Sequence, residues 1–104
     1  MVVETIFAGR NNTFSLQLLR DGSPINLLSI TGYELNLSNG RTFAENAADG
    51  LTRFIEKEDG IVEINIGDAL TTADVGSHNA HLVTFDPVNT AGVRWPNFKL
   101  KVKA

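Results

Sequence analysis

Thr13-Phe14-Ser15-Leu16-Gln17-Leu18 alternates polar and apolar residues without a break. A period of two sends Phe14, Leu16 and Leu18 to one face and the polar residues to the other, the pattern of a half-buried strand. The same alternation recurs in Tyr33-Glu34-Leu35-Asn36-Leu37-Ser38, in Ile61-Val62-Glu63-Ile64-Asn65-Ile66 and in Asn97-Phe98-Lys99-Leu100-Lys101-Val102-Lys103. Runs with one apolar and one polar face predict antiparallel strands around a shared core.

Turn signals separate these runs at the spacing of an all-β domain. Arg20-Asp21-Gly22-Ser23-Pro24 reads as a tight turn in which glycine takes positive φ and proline opens a strand or sits at an edge. Asn39-Gly40 and Asp59-Gly60 are hairpin signals. Seven or eight strands are expected, over 2–8, 13–20, 24–28, 33–38, 51–56, 61–66, 79–86 and 97–103, with a weak further strand at 41–45. Only Asp68-Ala69-Leu70-Thr71-Thr72-Ala73-Asp74 lacks alternation. It predicts one or two helical turns, opened by the capping Asp68 and ended at Gly76, in a crossover between sheets.

The chain has 104 residues, so one domain over 1–104 with one core is expected. Hydrophobic residues make up 42% and charged residues 20%, too apolar for a disordered charged tail. There is no cysteine, which excludes disulfides, thiolate metal sites and thiol catalysis. The net charge of −3 argues against a general nucleic-acid surface. Met1-Val2-Val3-Glu4 lacks the basic start of a secretory signal, and no apolar run reaches the roughly 20 residues that span a bilayer. The expectation is a protein made in a cytoplasm, with no membrane and no nucleic-acid partner.

So many strands with polar outer faces predict a two-sheet antiparallel sandwich. Asp74-Val75-Gly76-Ser77-His78-Asn79-Ala80 resembles the Asp-x-Gly/Ala-x-Tyr corner of immunoglobulin-like sandwiches, where a tyrosine hydroxyl ties a strand to the preceding turn. His78 stands at the tyrosine position, so the hydroxyl bond is not carried over. Ala80 stands at the cysteine position, which excludes a Cys-Trp-Cys immunoglobulin domain. Two registrations of strand 79–86 are open. In one, Ala80, Leu82 and Thr84 face the core and His81, Val83 and Phe85 face outward, as a surface covered by a loop or another subunit. In the other, Val83 and Phe85 are buried.

The order of features resembles small immunoglobulin-like domains of tailed-phage virions, in particular the N-terminal domain of upper-baseplate connector proteins. The resemblance rests on Phe7-Ala8-Gly9-Arg10-Asn11-Asn12, the alternating strand from Phe14 to Leu18, and Gly22-Ser23-Pro24-Ile25-Asn26-Leu27. It continues in Ile30-Thr31-Gly32-Tyr33 leading to Ser38, and in the run from Ile61 to His78. It implies a non-enzymatic structural protein of a phage particle: a tail, baseplate or adaptor component or a capsid decoration. Such a protein is made in the bacterial host cytoplasm and located in the virion. Its partners are other virion proteins, in a homo-oligomer or on a symmetric particle. The resemblance implies no catalytic residues and no cofactor.

Each candidate site also has a plainer role. His78 and His81 are three apart, on opposite faces of a strand, and cannot share one metal within a chain. Glu56, Glu58 and Asp59 form an acidic turn that matches no calcium loop, and they read as a solvated hairpin tip. Neither a Gly-x-Ser-x-Gly elbow nor a phosphate loop is present. Lys99, Lys101 and Lys103 share one outer strand face. They read either as a solvated or edge-protecting lysine row or as a contact for an acidic partner. Trp95, followed by Pro96, is either a cap over one end of the core or an exposed anchor. As an anchor it would support the alternative function, a carbohydrate-binding module for a host glycan. The expected interface comprises His81, Val83, Phe85, Trp95, Lys99, Lys101 and Lys103.

Overall fold

The computed structural model describes residues 3–44, 52–68 and 70–104. The chain is all-β. Its strands in order are β1 (Val3–Phe7), β2 (Asn12–Gln17), β3 (Leu19–Arg20), β4 (Ser23–Pro24), β5 (Gly32–Leu37) and β6 (Thr42–Ala44). They continue as β7 (Arg53–Glu56), β8 (Ile61–Gly67), β9 (Gly76–Phe85), β10 (Val93–Arg94) and β11 (Phe98–Lys103). The larger sheet has the order β1-β11-β9-β5-β6, with β10 also paired to β9. The smaller sheet has the order β2-β8-β7, and β3 with β4 forms a separate ribbon.

Alternation dictates which faces meet. Leu35, Leu37, Ala80, Leu82, Leu100 and Val102 of the large sheet join Phe14, Phe54, Val62, Ile64 and Ile66 of the small sheet in one core cluster. The Phe14 and Phe98 rings meet across it with centroids 6.0 Å apart, and Tyr33 stacks on Phe54 at 5.3 Å. The Tyr33 hydroxyl donates to Glu56 Oε2 at 2.8 Å, joining β5 to β7 across the two sheets. The buried phenol thus keeps its polar end satisfied at the rim of an apolar core.

Hairpins form where the turn residues call for them. Asp21 and Gly22 both take positive φ between the pairs Leu19–Pro24 and Arg20–Ser23, the backbone of a two-residue primed turn. Asn12 lets the chain change sheets: its side chain accepts from the Phe7 N–H at 3.0 Å and donates to the carbonyls of Phe7 and Arg10.

Several expectations need correction. The large sheet is mixed, because β1 runs parallel to β11. Strands β1 and β2 are neighbours in sequence but lie in different sheets, so β1 pairs with the last strand instead of its own hairpin partner. The expected strand 13–20 is broken at Leu18, which bonds to Gly60 and Ile25 in the interval. The expected strand 24–28 gives way after Pro24 to a 3₁₀ turn over Leu27–Ser29, because the Asn26 side chain caps Leu28 N–H at 2.9 Å. The crossover helix shrinks to a 3₁₀ turn, Thr72–Asp74, and Asp68 is not its cap. Instead the Asp74 carboxylate accepts from Thr71 N–H at 2.9 Å. The expected positions Val2, Glu45, Leu51 and Ala69 lie outside the described residues.

Candidate protein-docking surface

Strand β9 decides the geometry of the outer face. Ala80, Leu82 and Thr84 are buried, so of the two registrations the one with His81, Val83 and Phe85 outward is adopted. These three are half-buried, and Gly92 of the same chain lies against Val83 and Phe85. Gly92 has φ +97, and a Cβ on it would stand 2.6 Å from Val83 Cγ1 and 2.9 Å from Phe85 Cε1. The loop between β9 and β10 therefore presses backbone against this apolar pair.

Register builds the rest of the surface. On β11, Lys99, Lys101 and Lys103 alternate with the buried Phe98, Leu100 and Val102. Val3, Thr5 and Phe7 of β1 lie beside Lys99, Lys101 and Lys103 in turn. Asn79 and Ser77 of β9 lie beside Lys99 and Lys101 on the other side. Further along β9, Arg94 and Glu34 flank Val83, while Asn36 lies beside His81. One outer sheet face thus carries Arg94, Lys99, Lys101 and Lys103 against the single carboxylate Glu34, among the described residues. The lysines stand about 7 Å apart along the strand, within a Debye length of one another, so their fields add. Among the described residues none of the three is in an ion pair.

The position of β11 bears on what the lysines do. It lies between β1 and β9, so it is not an edge strand. A lysine row here guards no open edge, which leaves a solvated face or an acidic-partner contact as its readings. Its apolar neighbours on β1 are exposed as well, Val3 by 52% and Phe7 by 45%.

His81 sits among these charges. Burial and the Arg94 guanidinium lower its pKa below the ordinary histidine value, and Glu34 pulls in the opposite direction. His78 lies on the opposite face of the strand, as expected from the spacing. Its Nε2 bonds to the Asp74 carbonyl oxygen at 2.7 Å, so Nε2 carries the proton of that bond. The imidazole thus ties strand to turn, the link that the missing tyrosine hydroxyl did not imply. Asp74 itself is buried and accepts from Asn39 Nδ2 at 3.0 Å and Arg41 Nη1 at 2.9 Å.

Trp95 does not join the outer face. It is 9% exposed, and its indole N–H donates to Thr84 Oγ1, which points inward, at 3.0 Å. The Arg20 guanidinium lies 6.0 Å from its ring centroid. This is the cap role, and the ring offers no open platform. Among the described residues no group of three or more His, Cys, Asp or Glu side chains could hold a metal ion. No helix of the described residues is long and apolar enough to cross a membrane.

Two parts of the surface escaped sequence reading. Val3 and Phe7 join the lysines only through the parallel β1–β11 register, which alternation cannot reveal. Pocket-forming contacts between distant turns are the second: segment 24–28 and turn 56–61 enclose an open cleft of about 990 Å³, with Leu28 89% exposed on its wall. The sequence shows Glu56, Glu58 and Asp59 as a hairpin tip, but nothing in it places them beside Leu28. No family model matches this chain, and no curated protein matches it.

Proposed function

We propose that this chain is an immunoglobulin-like sandwich serving as a non-enzymatic docking module of a tailed-phage particle. It binds an acidic protein surface through the outer face of its large sheet. The observation that carries the reading is the lysine row on β11, an interior strand, in no ion pair among the described residues and flanked by the exposed Val3 and Phe7. Exposed apolar area supplies the favourable burial of an interface, and the lysines supply orientation and partner choice. The immunoglobulin-like assignment draws support from the two strand orders, the parallel pairing of first and last strands, and the His78–Asp74 tie at the corner. The phage assembly comes from the sequence resemblance, which implies virion proteins as partners.

The test is co-sedimentation of the purified chain with virions and tail sub-assemblies of the phage that encodes it. The chain travels with the particle fraction at low salt, and the Lys99→Glu/Lys101→Glu/Lys103→Glu variant stays at the top of the gradient. Equal co-sedimentation of both proteins overturns the reading.

A further inference from the structure

The large-sheet face has a counterpart on the same molecule. The cleft between segment 24–28 and turn 56–61 combines the 89% exposed Leu28 with the carboxylates of Glu56, Glu58 and Asp59 on its rim. The cation within that turn, Lys57, lies 3.7 Å from Glu63 Oε2, so its charge is offset from outside the cleft. One surface is therefore apolar and basic, the other apolar and acidic, and the two share no residue.

We propose that the occupant of the lysine face is the Leu28 cleft of a second copy of this chain, so that copies associate head to tail. Lys99, Lys101 and Lys103 of one copy face Glu56, Glu58 and Asp59 of the next, and Val3 or Phe7 meets Leu28. Charge complementarity selects this arrangement over a symmetric face-to-face dimer, which would set lysine row against lysine row. Joining two different patches makes the contact heterologous, and copies joined this way close into a ring or run on as a filament. The inference rests on the reading of the lysine face as a docking surface and specifies what docks there.

Charge exchange tests it. One variant carries Lys101→Glu and Lys103→Glu. The other carries Glu58→Lys and Asp59→Asn, asparagine being chosen because position 59 has positive φ. Mass is measured by light scattering over a concentration series at low and high salt, with circular dichroism to establish that both variants are folded. The unmodified chain gains mass with concentration at low salt and returns to monomer at high salt, because the charges are screened. Each variant alone associates at least tenfold more weakly. Their equimolar mixture regains the mass, since it restores one native junction and one reversed junction. A concentration-independent monomer overturns the proposal, as does an oligomer that neither variant weakens or a mixture of folded variants that fails to associate. A monomer that still co-sediments with particles sinks the head-to-tail contact alone. An associating chain that ignores particles sinks the virion role alone.

Discussion

Removing the Asp74 carboxylate is expected to weaken the fold by about 2–3 kcal/mol, a figure that follows from its partners. The carboxylate accepts from the Thr71 backbone at 2.9 Å, from Asn39 at 3.0 Å and from Arg41 at 2.9 Å. Hydrogen bonds to a charged group contribute about 1.5–3 kcal/mol each, and breaking a fully buried ion pair costs about 3–5 kcal/mol. The Asp74 side chain is 3% exposed but Arg41 is 37% exposed, so in Asp74→Ala the guanidinium recovers water and the cost falls below that of a fully buried pair, to about 2–3 kcal/mol. Arg41 also keeps its place over the Phe43 ring, 5.1 Å from the centroid. For a chain of this size the loss corresponds to a drop in Tm of roughly 8–20 °C. Asp74→Asn, which keeps shape and one acceptor, loses about half as much.

The pH dependence follows from the same site. Burial alone would raise the Asp74 pKa, but the Thr71 and Asn39 hydrogen bonds and the Arg41 charge outweigh it and hold it below the ordinary carboxylate value. A carboxyl lowered by folding contributes stability that is fully present above its unfolded pKa, near 3.8, and is lost as pH falls through the folded value. Urea denaturation between neutral and acid pH reads both effects. Asp74→Ala within 0.5 kcal/mol of the unmodified chain, or Asp74→Asn with an unchanged acid slope, would refute the reasoning.

Gly92→Ala is expected to destabilise by about 2–4 kcal/mol, because the new Cβ meets Val83 and Phe85 at positive φ; calorimetry that finds no change would show that the loop does not press on the sheet. Titration of His81 by NMR should give a midpoint below the ordinary histidine value, moving up in Arg94→Gln and further down in Glu34→Gln. The fold favours neutral His81, so its contribution is present above the unfolded pKa and lost as pH falls through the folded one. Trp95 should emit like a buried indole and resist quenching by acrylamide, and Trp95→Ala should cost about 3–5 kcal/mol in urea denaturation. Strong quenching in the folded chain would place the ring in solvent.

Period-two alternation carried most of the fold, because burial on a strand follows directly from parity. Phe14, Leu35, Ile64 and Leu100 are all buried where alternation puts them. The Asp21-Gly22 hairpin was equally legible, since its turn residues determine local backbone geometry. Parity is silent on which strand pairs with which, and so the parallel β1–β11 contact had no sequence signal. Local competition also escaped notice: Asn26 draws its side chain to the backbone and ends a strand that propensity would continue. On the outer face of the large sheet, the lysine row and the His81-Val83-Phe85 triplet were readable as faces of two strands. Their union into one surface, and the exclusion of Trp95 from it, depend on β9 lying beside β11 and on an inward turn of the indole toward Thr84.

The central claim is that the lysine face of the large sheet docks against an acidic protein surface when the chain assembles on the particle. Lysine acylation of the free and the particle-bound chain, read by mass spectrometry, tests it most directly. The account predicts that Lys99, Lys101 and Lys103 react in the free chain diluted to monomer and are protected when it is bound. Equal labelling of all three in both states would contradict it.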